Sequence, residues 1–170
     1  YGSSTIRLWV NLKKDFPNLN VLNFGFGGAL ISSLSENFKA IFKNLNPSVI
    51  VLYMGGNDLT QFDSSEIIIS KQLQFIEKIR SNYPNTIIIN LSIKPSFERL
   101  SKIPTIIKIN EKMNEKSKIN KKFIQIDFFE KLLKKGKLNK KYFLRDGLHL
   151  NNDGYKILQK AILNFLKKID

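Results

Sequence analysis

The sequence has no cysteine and a single histidine among its 170 residues. Without thiols it can build neither a disulfide scaffold nor a thiolate zinc or iron–sulfur centre. One imidazole likewise excludes a multi-histidine metal site. No run approaches the ~18 uninterrupted apolar residues of a membrane span. No basic–apolar–small leader opens the chain. Arginine is scarce: of the 28 basic residues only Arg7, Arg80, Arg99 and Arg145 are Arg. Acidic residues number 14, which leaves a formal net charge of +14.

A charge of that size suits an anionic partner. One reading is therefore a nonenzymatic lysine-rich module that binds nucleic acid or an acidic polymer. Dedicated readers of phosphates and bases favour the arginine fork over lysine, however. The chain is instead crowded with Ile, Asn and Lys, which favours a solvated lysine surface and no specific nucleic-acid partner. The length suits one domain of roughly 100–200 residues, large enough to bury a core without covalent staples. Oligomeric state and compartment are left open.

Four short apolar runs read as strands: Asn20–Phe24, Ser48–Tyr53, Thr86–Ile93 and Lys122–Asp127. The second and third are nearly continuous rather than alternating, as in a parallel sheet buried on both faces. Helical stripes lie between them. Leu34, Phe38, Ile41, Phe42 and Leu45 form one, with Ser33 and Glu36 as its capping box. Ile69, Leu73, Ile76, Ile79 and Tyr83 form a second, opened by Asp63 and Glu66. A third covers about Thr105–Ser117. The last, Tyr155, Leu158, Ile162, Phe165, Leu166 and Ile169, follows an Asn151–Asn152 cap. Alternating strands and helices imply right-handed crossovers and an α/β sandwich around a parallel sheet, in one domain over residues 1–170. The basic stretch Lys108–Lys141 reads as an exposed face.

Ligands of open parallel sheets bind beyond the carboxyl ends of the strands. Gly25-Phe26-Gly27-Gly28 and Gly55-Gly56-Asn57-Asp58 each follow a strand, and Gly2-Ser3-Ser4-Thr5 has the same small, polar character. A dinucleotide loop is excluded, because Leu30 stands where its last glycine belongs and no acidic residue follows at the required distance. Arg145-Asp146-Gly147-Leu148-His149-Leu150-Asn151 holds the only histidine, three residues after a carboxylate. An Asp that accepts from one imidazole nitrogen leaves the other as a base, and a serine in reach would complete an acyl-transfer triad. A capping Asp beside an incidental surface His gives the same sequence.

The four segments together resemble the sequence blocks of the SGNH (GDSL-type) hydrolases, in order and over essentially the whole chain. Gly2-Ser3-Ser4 is similar to the first block, Gly28 to the glycine of the second, Gly55-Gly56-Asn57-Asp58 to the third and Asp146-Gly147-Leu148-His149 to the last. Ser3 stands where the family usually has Asp. Gly2-Ser3-Ser4-Thr5-Ile6-Arg7-Leu8-Trp9, Gly25-Phe26-Gly27-Gly28 and Ser92-Ile93-Lys94-Pro95-Ser96 are similar to a bacterial subset related to platelet-activating-factor acetylhydrolase catalytic subunits.

The resemblance implies a three-layer α/β/α sandwich with a flavodoxin-like parallel sheet of order 2-1-3-4-5. It also implies that the first strand is largely missing and that the native protein begins upstream of Tyr1. It implies a serine esterase acting on a short, acetyl-like ester of a lipid, carbohydrate or other small molecule, without metal or cofactor. Ser4 would be the nucleophile, His149 the general base and acid, and Asp146 its orienting partner. The Ser4 and Gly28 backbone N–H groups and the Asn57 amide would form the oxyanion hole. Asp58 is expected to brace the turn that aims Asn57. Trp9 and Phe16 are expected to pack the first helix, and Arg145 to pair with Asp146 at the surface.

Overall fold

The computed structural model describes residues 1–167. Ile169 of the last helical stripe lies outside the described residues. Six α-helices are α1 Ser4–Arg7, α2 Leu12–Asp15, α3 Ile31–Phe42, α4 Ser65–Asn82, α5 Ile103–Lys118 and α6 Asn152–Leu166. The main sheet joins β1 Val49–Leu52, β2 Ile87–Leu91 and β3 Phe123–Ile126, all parallel and in that order. The register runs from Val49 opposite Ile87 and from Ile88 opposite Phe123. Three of the four expected strands therefore form, each a little shorter than its apolar run.

The sheet separates two apolar cores, and that separation makes the three layers. On one face Ile50, Leu52 and Ile88 pack with Leu34 and Phe38 of α3, Phe75 and Ile79 of α4, and Ile106 of α5. On the other, Ile89 and Leu91 pack with Ile6 and Trp9 beside α1 and with Tyr155, Leu158 and Ile162 of α6. The alternation of Ile88 and Ile89 between the two cores is the period-two pleat of a strand covered on both faces. Trp9 and Phe16 are buried against one another with ring centroids 5.6 Å apart, as the sequence suggests.

The expected strand at Asn20–Phe24 does not form. Parallel bridges at Gly2 to Gly25 and to Tyr53 stand in place of a ladder on either side of the chain start. Tyr1 and Gly2 lie between those segments, bonded to Val51, Tyr53 and Phe26. The described strand order is thus β1-β2-β3, without the two further strands of the expected five.

Helix starts also shift. α3 begins at Ile31, and Ser33 caps it from inside: its Oγ accepts from the Leu30 N–H at 2.9 Å instead of opening a box with Glu36. α4 is capped by Ser64, whose Oγ accepts from the Ile67 N–H, one residue later than Asp63. Its fully buried face accordingly runs through Ile68, Gln72, Phe75, Ile76 and Ile79. The Asn151 cap of α6 is as expected, accepting from the Gly154 N–H at 3.1 Å. A small antiparallel hairpin, β4 Leu133–Lys134 and β5 Lys137–Leu138, has no counterpart in the sequence reading.

Candidate active site

Gly2 places the first residues of the site. A Cβ there would lie 2.3 Å from the Tyr53 carbonyl oxygen, at φ +155°, so only glycine lets the chain pass between Tyr53 and Gly25. The Ser3 N–H donates to the Tyr53 carbonyl and the Phe26 N–H donates to that of Gly2, at 3.1 and 3.0 Å. Three loops at the carboxyl edge of the sheet are thereby drawn side by side. Ser4 follows at once as the first residue of α1, half-buried.

His149 arrives from the other end of the chain. Its Nε2 lies 3.0 Å from Ser4 Oγ, across 145 residues, and its Nδ1 lies 2.7 Å from Asp146 Oδ2. The other carboxylate oxygen of Asp146 accepts from the Leu148 and His149 N–H groups, both at 2.9 Å. Gly147 makes that turn possible: it sits at φ +63°, and a Cβ would meet Phe97 Cβ at 2.9 Å.

Desolvation pushes the Asp146 carboxyl up, but the imidazole and the two backbone N–H groups outweigh it and hold it at about 2. An ionised carboxylate only accepts. Nδ1 therefore carries the imidazole proton, and Nε2 is left to accept from the Ser4 hydroxyl. The expected Arg145–Asp146 ion pair is not present among the described residues; Asp146 is bonded to His149, and both Arg145 and Asp146 are exposed.

Asn57 and Gly28 are neighbours through a second set of bonds. Asn57 Nδ2 donates to the Ala29 carbonyl at 3.0 Å, and Asn57 Oδ1 accepts from Arg99 Nη2 at 3.1 Å. The Arg99 bond fixes which end of the amide is which and leaves one Nδ2 proton free. Neither the Ser4 nor the Gly28 N–H donates to a protein acceptor among the described residues. Asp58 is buried and accepts from the Ile31 N–H with both oxygens at 3.3 Å. It braces the loop after Gly28 from the turn that carries Asn57.

The sequence reading does not identify two further residues here. Arg99 is one; nothing in Phe97-Glu98-Arg99 marks it, because its partner is 42 positions away. Lys94 is the other, 2% exposed, with Nζ donating to the Leu148 carbonyl and lying 5.7 Å above the Phe143 ring. Its backbone N–H also donates to the Tyr53 hydroxyl at 3.4 Å. Lys94 thus ties the end of β2 to the loop that carries Asp146 and His149. Burial and then the Arg99 charge pull its ammonium down to about 7, against an upward pull from Asp146.

That shift has a signed consequence for stability. Between about pH 7 and 10.5 the unfolded chain keeps a proton on this lysine that the folded chain has released. Stability therefore rises with pH through that window, and the burial penalty acts in full below it. Lys94→Met should raise stability more at pH 6 than at pH 10, measured by urea denaturation at both. An equal change at the two pH values would contradict the assignment.

A hydroxyl, an imidazole and an ionised carboxylate thus stand in one hydrogen-bonded line at the carboxyl edge of a parallel sheet, on an α/β/α fold. Comparison with known proteins gives the family. Residues 2–157 match the GDSL-like Lipase/Acylhydrolase family, and the chain belongs to it. It is by that membership a carboxylic-ester hydrolase.

Among solved structures, the chain is similar to a candidate platelet activating factor protein from Streptococcus pneumonia, with a TM-score of 0.84 and 26% identity over 97% of this chain and 81% of that one. A GDSL-like lipase from Bacteroides thetaiotaomicron has a TM-score of 0.84 and 20% identity over 99% and 86%. A family 3 carbohydrate esterase from Clostridium thermocellum has a TM-score of 0.67 and 22% identity over 85% and 70%. No curated protein matches the chain.

Proposed function

We propose that this chain is a serine esterase that removes a short, acetyl-like acyl group from an alcohol oxygen of a lipid, carbohydrate or other small molecule. The observation that carries the reading is the unbroken line from Ser4 Oγ through His149 to Asp146, at 3.0 and 2.7 Å. Ser4 Oγ attacks the ester carbonyl carbon while its proton passes to His149 Nε2. Asp146 holds the imidazole in the right tautomer and stabilises the imidazolium that forms. The tetrahedral oxyanion is met by the Ser4 and Gly28 N–H groups and the free Asn57 Nδ2 proton. Collapse expels the alcohol, which takes the proton from His149 and leaves the acyl group on Ser4. Water then attacks that acyl-enzyme with His149 again as base, releasing the carboxylic acid and restoring Ser4.

Asn57→Ala removes one of three donors and should lower kcat by about 10²–10³-fold with little change in KM, measured on p-nitrophenyl acetate. The acyl-length part of the proposal is tested by a p-nitrophenyl ester series from acetate to octanoate. The highest kcat/KM is expected at two to four carbons. A rate that climbs steadily to eight carbons would overturn the short-acyl assignment.

A further inference from the structure

Two guanidinium groups beside the site have no carboxylate partner among the described residues. Arg99 lies at a kink in the 97–102 turn, with φ −128° and ψ 32°. A guanidinium offers five N–H donors. Arg99 uses one, on Asn57, and among the described residues no carboxylate pairs with it. Its Nη1 faces the Gly56 backbone, 3.5 Å from where a Cβ would stand.

Arg7 is one turn beyond Ser4. Its Nε and Nη2 would lie 3.4 and 3.7 Å from a Cβ at Gly27, so its guanidinium covers the residue next to Gly28. It too has no acidic partner among the described residues. Arg7 also lines a cleft of about 420 Å³ with Trp9, Val10, Lys13 and Asn23, in which no acidic side chain takes part.

The composition makes this placement informative. Among 28 basic residues only four are Arg, and three of the four stand in the segments of this site: Arg7 after Ser4, Arg99 on Asn57, and Arg145 before Asp146. A solvated lysine surface needs no arginine. A planar fork is favoured where a carboxylate is held by two parallel bonds. The protein's own nearby carboxylates are occupied elsewhere, Asp146 on His149 and Asp58 on the Ile31 N–H. The two guanidinium groups therefore lie against the loops that carry Gly28 and Asn57, with no internal counter-ion.

We propose that the ester hydrolysed here bears a carboxylate on its alcohol moiety, held by Arg99 and Arg7. The inference rests on the serine-esterase reading, in which an acetyl-sized acyl group has no room for a charge and leaves it to the alcohol. Arg99 then does two separable things. It orients Asn57, which acts on kcat for any ester, and it binds the substrate carboxylate, which acts on KM for anionic esters.

The test compares 3- and 4-acetoxybenzoate with the shape-matched neutral amides, 3- and 4-acetoxybenzamide. At least one carboxylate should exceed its amide in kcat/KM by about tenfold, chiefly through KM. In the Arg7→Gln, Arg99→Gln double variant that ratio should fall to about one. Arg99→Lys should keep part of the ratio while kcat on both esters drops, because the charge stays and the bond to Asn57 Oδ1 is lost. Wild-type protein gives a readout free of any folding defect: benzoate should inhibit at about one-tenth the concentration of benzamide. Active enzyme showing no preference for either carboxylate, or a preference that survives the double variant, would overturn the proposal alone. A wild-type protein that hydrolyses none of the four esters nor p-nitrophenyl acetate would overturn the esterase reading beneath it.

Discussion

Ser4→Ala should lower the hydrolysis of p-nitrophenyl acetate by about 10⁴-fold or more, with the fold intact by circular dichroism. The expectation is large because in the proposed reaction Ser4 Oγ forms the covalent bond, and no neighbouring group substitutes for it. Ser3 is adjacent but buried, and its backbone is committed to Tyr53. Ser3→Ala is therefore the natural control and should stay within about threefold of wild type. A Ser4→Ala protein that kept more than about one-tenth of its activity would place the nucleophile elsewhere.

Asp146→Asn is the second large effect. The substitution preserves size, but an amide that must still accept from the Leu148 and His149 N–H groups presents its NH₂ to the imidazole. His149 then carries its proton on Nε2 and cannot take one from Ser4. A loss of about 10⁴-fold in kcat is expected, with KM little altered. The same substitution removes the acceptor whose folded-state value is held at about 2. A depressed carboxyl contributes stability above its unfolded value, and that contribution is lost as pH falls through the folded one. Wild type should accordingly lose more stability than Asp146→Asn between pH 5 and 2. If kcat in Asp146→Asn fell by less than about tenfold, the orienting role of Asp146 would not stand.

Much of the fold was legible because β1, β2 and β3 are carried by apolar runs that no helix periodicity matches. Ile87–Leu91 reads as a doubly buried strand and is one. The strand expected at Asn20–Phe24 failed for a reason no local pattern contains: a strand exists only against a partner, and Gly2 alone bridges to Gly25. Helix starts moved by one to three residues because several Ser and Asp side chains compete to cap. Ser64 won over Asp63 at α4, and Ser33 caps α3 from within its first turn.

The site divides along the same line. Asp146 and His149 are three residues apart, so their pairing is visible in a short segment, and the serine loop announces itself by small residues. Arg99 and Lys94 act on partners 42 and 54 positions away, Asn57 Oδ1 and the Leu148 carbonyl. Lys94 shows in the sequence only as a member of the Ser92–Ser96 segment, and Arg99 not at all, until the fold brings those acceptors to them. The net charge, the loudest feature of the composition, describes the lysine surface. Arg99, on Asn57, belongs to the site.

The central claim is that Ser4 is the residue that becomes acylated. Reaction with a fluorophosphonate, followed by peptide mass spectrometry, tests it most directly. The account predicts one adduct, on Ser4, formed in parallel with loss of esterase activity and absent from Ser4→Ala. Stoichiometric labelling of another residue, or full inactivation with Ser4 unmodified, would contradict it.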